Sequence, residues 1–71
     1  MADTLTWRDT EEVAGALYDR FPDMHPLTVR FTDLRDWVME IEGFEGKRED
    51  CSEGILEAIQ MAWLDEYKFD H

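Results

Sequence analysis

The sequence predicts a small all-α domain with three helices, arranged as in helix-turn-helix or winged-helix proteins. Three segments carry apolar residues at helical spacing, turn signals separate them, and the extended stretch between the first two is too short to predict a sheet. The chain has 71 residues, of which 44% are hydrophobic. We therefore expect one domain over residues 1–71, with its core at about 5–66 and a frayed tail at 67–71.

The first helix is predicted to begin at Asp9, a favourable N-cap residue, with Glu12 three residues later as in a capping box. It is predicted to end at Phe21, because Pro22 disfavours helical geometry in the residue before it. The apolar face of this helix consists of Val13, Ala16, Leu17 and Phe21.

The second helix is predicted to begin at Thr32 as N-cap, with Asp33 and Asp36 in its first turn, where the helix macrodipole favours negative charge. The residues between the two helices contain two prolines, and the alternation around Val29 and Phe31 indicates a short extended segment. The apolar face of the second helix consists of Leu34, Trp37, Val38 and Ile41.

The third helix is predicted to be the longest, with Ser52 as its N-cap and its end at about Glu66. A polar loop over residues 45–50 precedes it, next to a break flanked by Gly43 and Gly46. Its apolar face consists of Ile55, Leu56, Ile59, Ala62 and Trp63.

The aromatic side chains divide into two groups. Trp37 and Trp63 lie on apolar helical faces and are predicted to belong to the core, whereas one of Trp7, Tyr18 and Phe44 is expected to be partly exposed at an interface.

The net charge is the strongest indication of function. The chain has 18 Asp and Glu against 7 Lys and Arg, a formal net charge of −11. Such a chain repels nucleic acids and anionic lipids and attracts basic protein surfaces or cations. Apart from the Lys47–Arg48 loop, Arg35 is the sole basic residue between Asp33 and Glu66, so the predicted second and third helices lack the cations of a recognition helix. A winged-helix nucleic-acid-binding regulator is kept as the alternative function.

Catalysis is not expected. His25 lies in a proline-containing loop and His71 at the end of the chain, and neither is placed by spacing beside a nucleophile. Cys51 precedes a helix, which lowers a thiol pKa, but the acidic residues around it oppose that effect. The single cysteine, the absence of a readable signal peptide and the absence of a long apolar run predict a protein of the cytoplasm that does not enter membranes.

The carboxylates form several groups at helical spacing. Asp33, Asp36 and Glu40 share one face of the second helix, and further acids lie on the other two helices. A solvated face that maintains solubility is the simplest explanation, but −11 exceeds the magnitude of about 2–8 that solubility requires of a small domain. The acids are therefore predicted to serve either as hard oxygen ligands of a metal or as a surface that docks on a basic partner.

Several runs of residues closely resemble one family, the IscX proteins, which are small acidic proteins of bacterial iron–sulfur cluster assembly. The resemblance extends from Leu5 to Glu66. It is carried by the runs 16–19, 21–23, 28–34, 55–59 and 63–66, together with Pro26, Trp37 and Phe44.

This resemblance implies a modified winged-helix fold and a non-enzymatic function. IscX proteins bind the cysteine desulfurase IscS through an acidic surface, near the docking sites of frataxin and ferredoxin, and they bind iron weakly through exposed carboxylates. The resemblance therefore implies a monomeric adaptor that modulates sulfur delivery or donates iron, in possible competition with frataxin and ferredoxin.

The resemblance also assigns candidate residues. Asp19, Asp23, Asp33, Glu57, Asp65 and Glu66 match acidic positions of the family, and Glu40 matches in type. With Asp36 added from the same helical face, the predicted iron ligands are Asp19, Asp23, Asp33, Asp36 and Glu40. The predicted partner contacts are Asp33, Asp36, Glu40, Glu57, Asp65 and Glu66.

The chain departs from the family pattern at three places. Gly43 and His25 stand where acids are expected, and the loop after Phe44 contains Lys47 and Arg48 in place of a run of acids. We have no expected role for residues 67–71.

Overall fold

The computed structural model describes residues 4–70. Within this range the chain forms three α-helices, α1 (Thr10–Arg20), α2 (Phe31–Met39) and α3 (Glu53–Asp70). Two short 3₁₀ turns, Pro26–Thr28 and Arg48–Asp50, precede α2 and α3. The described residues contain no β-strand, and the small all-α domain predicted from the sequence is confirmed.

The first helix begins where predicted, but not through the predicted capping box. Asp9 is the N-cap residue of α1, yet its carboxylate makes no cap hydrogen bond to the helix. Instead, Asp9 Oδ2 accepts hydrogen bonds from the Thr6 backbone N–H at 2.9 Å and from Thr6 Oγ1 at 3.3 Å. The Asp9 carboxylate thus closes the turn before the helix, and this local pairing competes with capping of the helix. The capping-box prediction with Glu12 is therefore wrong.

The predicted start of the second helix is also wrong, by two residues. Thr32 lies inside α2, and the N-cap position is occupied by Arg30, which makes no side-chain cap hydrogen bond. Val29 and Arg30 have extended backbone angles, as expected for this segment, but Phe31 is already helical and packs against the core. Asp33 lies in the first turn as predicted, whereas Asp36 lies beyond it.

The third helix has the predicted cap and a different end. Ser52 Oγ accepts a hydrogen bond from the Ile55 backbone N–H at 3.3 Å. The helix then continues to Asp70 instead of ending at about Glu66, so the tail predicted for residues 67–71 is helical over 67–70. Tyr67 contributes to this extension, since it is half-buried and its ring centroid lies 5.1 Å from that of His25. His71 lies outside the described residues.

The core is formed where α1 packs against α3, with α2 and the first 3₁₀ turn completing it. Trp63 is fully buried and its indole Nε1–H has no hydrogen-bond partner. Trp37 is half-buried and stacks on Phe21 with ring centroids 4.6 Å apart. The largest fully buried side chains are Trp63, Leu17, Leu34, Ile59, Val13, Val38 and Pro26, most of which belong to the predicted apolar faces.

The N-terminal segment is attached to the loop after α2 by what we call the Trp7 clamp, the contacts of Trp7 with Phe44, Gly46 and Lys47. Trp7 Nε1 donates a hydrogen bond to the Lys47 carbonyl at 2.6 Å, and its ring meets that of Phe44 edge-on at 4.8 Å. Backbone hydrogen bonds between Leu5 and the loop reinforce these contacts. Trp7 is only 4% exposed and belongs to the core, whereas Tyr18 and Phe44, the other two aromatic residues considered for partial exposure, are half-buried.

Candidate functional site

All the carboxylates predicted from the sequence to bind iron or a partner lie at the surface of the folded domain. The exposed residues of this set are Asp19, Asp23, Asp33, Asp36, Glu40, Glu57, Asp65 and Glu66. They are carried by α1, α2, α3 and the segment after α1. Their exposure makes them accessible to a partner or a cation without any opening of the fold.

On α2 and at its C-cap, two of the predicted carboxylates are paired with arginines of the same chain. Asp36 Oδ1 lies 3.6 Å from Arg48 Nη2 and 3.9 Å from Arg35 Nε, and Glu40 Oε1 lies 3.6 Å from Arg20 Nη2. Such exposed pairs contribute only about 0–1 kcal/mol to stability. They nevertheless offset much of the negative charge on this part of α2.

Two of these three ion pairs could not be predicted from the spacing of residues in the sequence. Arg20 ends α1 and Arg48 belongs to the loop before α3, so both reach α2 only through the tertiary fold. The third ion pair, between Arg35 and Asp36, joins adjacent residues and is predictable from the sequence.

The remaining predicted partner contacts carry uncompensated charge. Within residues 4–70, no ion pair is formed by Asp33, Glu57, Asp65 or Glu66. Among the predicted partner contacts, the uncompensated negative charge therefore lies near the beginning of α2 and along α3.

The predicted iron ligands do not come together into a closed metal site. Among the described residues there is no group of three or more His, Cys, Asp or Glu side chains placed to hold a metal ion. Asp19 and Asp23 belong to the end of α1 and the segment after it, whereas Asp33, Asp36 and Glu40 lie on and just after α2. This arrangement fits loose association of a cation with one or two carboxylates at a time, and iron binding stays a prediction.

An open groove joins the beginning of α1 to the end of α3. It has a volume of about 470 Å³ and is lined by Glu11, Ala62, Asp65, Glu66 and Phe69. Two of these residues, Asp65 and Glu66, were predicted to contact a partner. The sequence does not predict the roles of Glu11 and Phe69, because their proximity depends on the packing of α1 against α3 and on the extension of α3 past Glu66.

The surroundings of Cys51 do not activate its thiol as a nucleophile, because the effect of burial outweighs that of the nearby positive charge. The thiol is half-buried, and desolvation raises its pKa above the ordinary value, although the nearby positive charge of Arg35 acts in the opposite direction. The thiol therefore stays protonated near neutral pH. The sequence predicted a raised pKa from the neighbouring acids, whereas burial is its main cause here.

No helix among the described residues is long and apolar enough to cross a membrane.

The fold and the surface together define a small acidic all-α domain. A family model described as iron-sulphur cluster assembly matches residues 5–68 of the chain, and the chain belongs to this family, the same IscX family that its residues resemble. A protein of Pseudomonas aeruginosa, itself described as uncharacterized, is 41% identical over 63 residues, which cover 89% of this chain and 96% of that protein. Family membership assigns the chain a role in iron–sulfur cluster assembly.

Proposed function

We propose that this protein is a non-enzymatic adaptor of iron–sulfur cluster assembly that binds the cysteine desulfurase through its acidic surface. The observation that carries the proposal is the exposed, uncompensated negative charge at Asp33, Glu57, Asp65 and Glu66 on a chain of this family. Complementary potentials accelerate the encounter of two proteins and fix the orientation in which they bind. A basic patch on the desulfurase is the complement that such a surface requires.

The contact residues differ in the contribution that we expect from them. Asp36 and Glu40 already interact with Arg20, Arg35 and Arg48, so a partner gains less from their charge. Asp33 and Glu57 have no such neighbour among the described residues and are expected to contribute more to binding.

Iron is the second part of the proposal and is treated as cargo. Exposed carboxylates are hard oxygen donors that suit iron, and also magnesium and manganese. Since no three of them converge, the affinity is expected to be low and the ion easily exchanged. Loosely held iron on Asp19, Asp23, Asp33, Asp36 or Glu40 would let the adaptor tune sulfur delivery or donate iron, and docking would place it in competition with frataxin and ferredoxin.

Calorimetric titration of the desulfurase at low and at high salt tests the adaptor function. We expect the affinity to fall steeply with salt, because screening weakens contacts between exposed charges. The double variant Asp33→Lys with Glu57→Lys should bind more weakly than Asp36→Lys with Glu40→Lys. The two variants change the net charge equally, so their difference reports the location of the contact. An affinity independent of salt would contradict the electrostatic mechanism.

The iron proposal needs its own measurement. Titration of the protein with ferrous iron under anaerobic conditions should show weak binding that magnesium or manganese ions displace. If no heat is detected and no resonance of the labelled protein shifts, iron binding is excluded while the adaptor function stands.

A further inference from the structure

We propose that the groove between the first turn of α1 and the last turns of α3 is a docking site for a basic protein segment that presents an apolar side chain, with Phe69 as its aromatic anchor. The proposal rests on the proposed function, since it names the part of the acidic surface on which the desulfurase docks.

The apolar part of the groove is the side chain of Phe69. This residue is 90% exposed, more than the other exposed large hydrophobic residues of the described chain, Leu27 (57%), Met61 (48%) and Met39 (36%). One exposed phenyl group alone would need no explanation. Phe69, however, lines an open groove together with Ala62, which offers a place for an apolar group of a partner next to an aromatic ring.

The polar part of the groove is uniformly acidic. Its other lining residues are Glu11, Asp65 and Glu66, and none of them forms an ion pair with another described residue. Three like charges around one groove raise the local negative potential and lower the affinity for any anionic or neutral occupant relative to a cationic one. A lysine or arginine beside Glu11, Asp65 or Glu66 would also come within reach of the Phe69 ring, where cation–π attraction adds to binding.

The combination of an aromatic centre and a charged rim is the usual anatomy of a protein-binding surface. The acidic part of α2 is partly neutralised by Arg20 and Arg48, and its exposed hydrophobic residue, Met39, is only 36% exposed. The groove is therefore better suited than α2 to be the centre of an interface, with Asp33 and Glu57 contributing long-range attraction.

Phe69 lies just outside the region matched by the family model, which ends at residue 68. The apolar half of the groove depends on the continuation of α3 to Asp70, so we infer that this helical extension adds affinity to a contact that is otherwise electrostatic.

The test is a comparison of Phe69→Ala with Leu27→Ala in calorimetric titrations of the desulfurase. Both variants remove an exposed large hydrophobic side chain, but only Phe69 lines the groove. We expect Phe69→Ala to weaken binding about tenfold, as for an aromatic anchor at an interface, and Leu27→Ala to have no effect. Because Phe69 is so exposed, its substitution should leave the thermal unfolding midpoint unchanged, which circular dichroism can verify.

Salt separates the apolar contribution from the charges. The loss caused by Phe69→Ala should persist at high salt, because an apolar contact is not screened. The loss caused by Asp65→Asn with Glu66→Gln should shrink as salt is raised, since those side chains act through their charge.

Three results would count against the groove. Equal binding by Phe69→Ala and the unmodified protein, with weaker binding by Asp33→Lys and Glu57→Lys, overturns this inference and leaves the adaptor function intact. Equal losses in Phe69→Ala and Leu27→Ala also overturn it, because the effect would then be unrelated to the groove. If the unmodified protein does not bind the desulfurase at all, the proposed function fails and this inference fails with it.

Discussion

At the scale of single residues, Gly46 occupies a position where no larger side chain fits. A Cβ atom there would lie 2.6 Å from Phe44 Cζ and 2.7 Å from Trp7 Cδ1, well inside van der Waals contact. Gly46 is thus required for the Trp7 clamp.

We predict that Gly46→Ala destabilises the protein by about 1–3 kcal/mol, the usual cost of overpacking a close contact. Chemical denaturation followed by circular dichroism measures the change. The helical Gly15 provides the matched control, since a Cβ atom there meets nothing within 4 Å. Gly15→Ala should stabilise by about 0.5–1 kcal/mol through the better helix propensity of alanine. Equal effects of the two substitutions would show that the clamp does not constrain Gly46.

At this scale the sequence predicts which carboxylates are exposed to solvent, but it does not predict which of them form ion pairs. Every carboxylate predicted to face solvent does so, because acidic side chains on the polar face of an amphipathic helix have no alternative partner in the core. The contact of Arg20 with Glu40 and the lining of the groove by Glu11 and Phe69 are tertiary events, and no local spacing encodes them.

At the scale of secondary-structure elements, the beginnings of α2 and α3 differ in how they are capped. Ser52 caps α3 through a side-chain hydrogen bond to Ile55, whereas Thr32, the predicted cap of α2, is an exposed residue inside that helix.

We predict that Ser52→Ala lowers the stability by about 1 kcal/mol, the typical value of an N-cap hydrogen bond. For a domain of this size that loss lowers the unfolding midpoint by about 4–8 °C. Thr32→Ala should be neutral or slightly stabilising, because it removes no cap and replaces a β-branched residue in a helix. Thermal unfolding of both variants, followed by circular dichroism, measures the two changes in midpoint. A larger loss of stability in Thr32→Ala than in Ser52→Ala would mean that α2 does depend on the Thr32 hydroxyl group.

The apolar faces of the three helices were predictable, and the helix ends were less so. Periodicity reports which residues are buried over several turns, so Leu17, Leu34 and Trp63 were found correctly. Helix ends depend on competition among a few hydrogen bonds. The Asp9 carboxylate accepts a hydrogen bond from Thr6 and not from the first turn of α1. At the other end of the chain, α3 extends beyond its predicted end, where Tyr67 packs near His25.

At the scale of the whole molecule, the net charge of −11 is spread over a body of only 31 × 29 × 16 Å. Self-repulsion among these charges opposes the compact state. The same charge that is proposed to attract a partner therefore reduces the stability of the free protein.

We predict that the unfolding midpoint rises between 0.01 and 0.15 M potassium chloride, over which the Debye length falls from about 30 to about 8 Å. Differential scanning calorimetry measures this shift. The variant Asp65→Asn with Glu66→Gln carries less negative charge and should show a smaller rise. A midpoint that stays constant or falls over the same range would mean that self-repulsion is not a significant term in the stability of this domain.

The Trp7 clamp has a consequence for how the chain reaches its native state. Its hydrogen bond joins residues 40 positions apart in sequence, and the intervening segment contains both α1 and α2. Closing so long a loop has a large entropic cost unless those helices have already docked. We therefore expect the clamp to form late in folding and to open first under mild denaturant, with Trp7 fluorescence changing before the helical signal is lost.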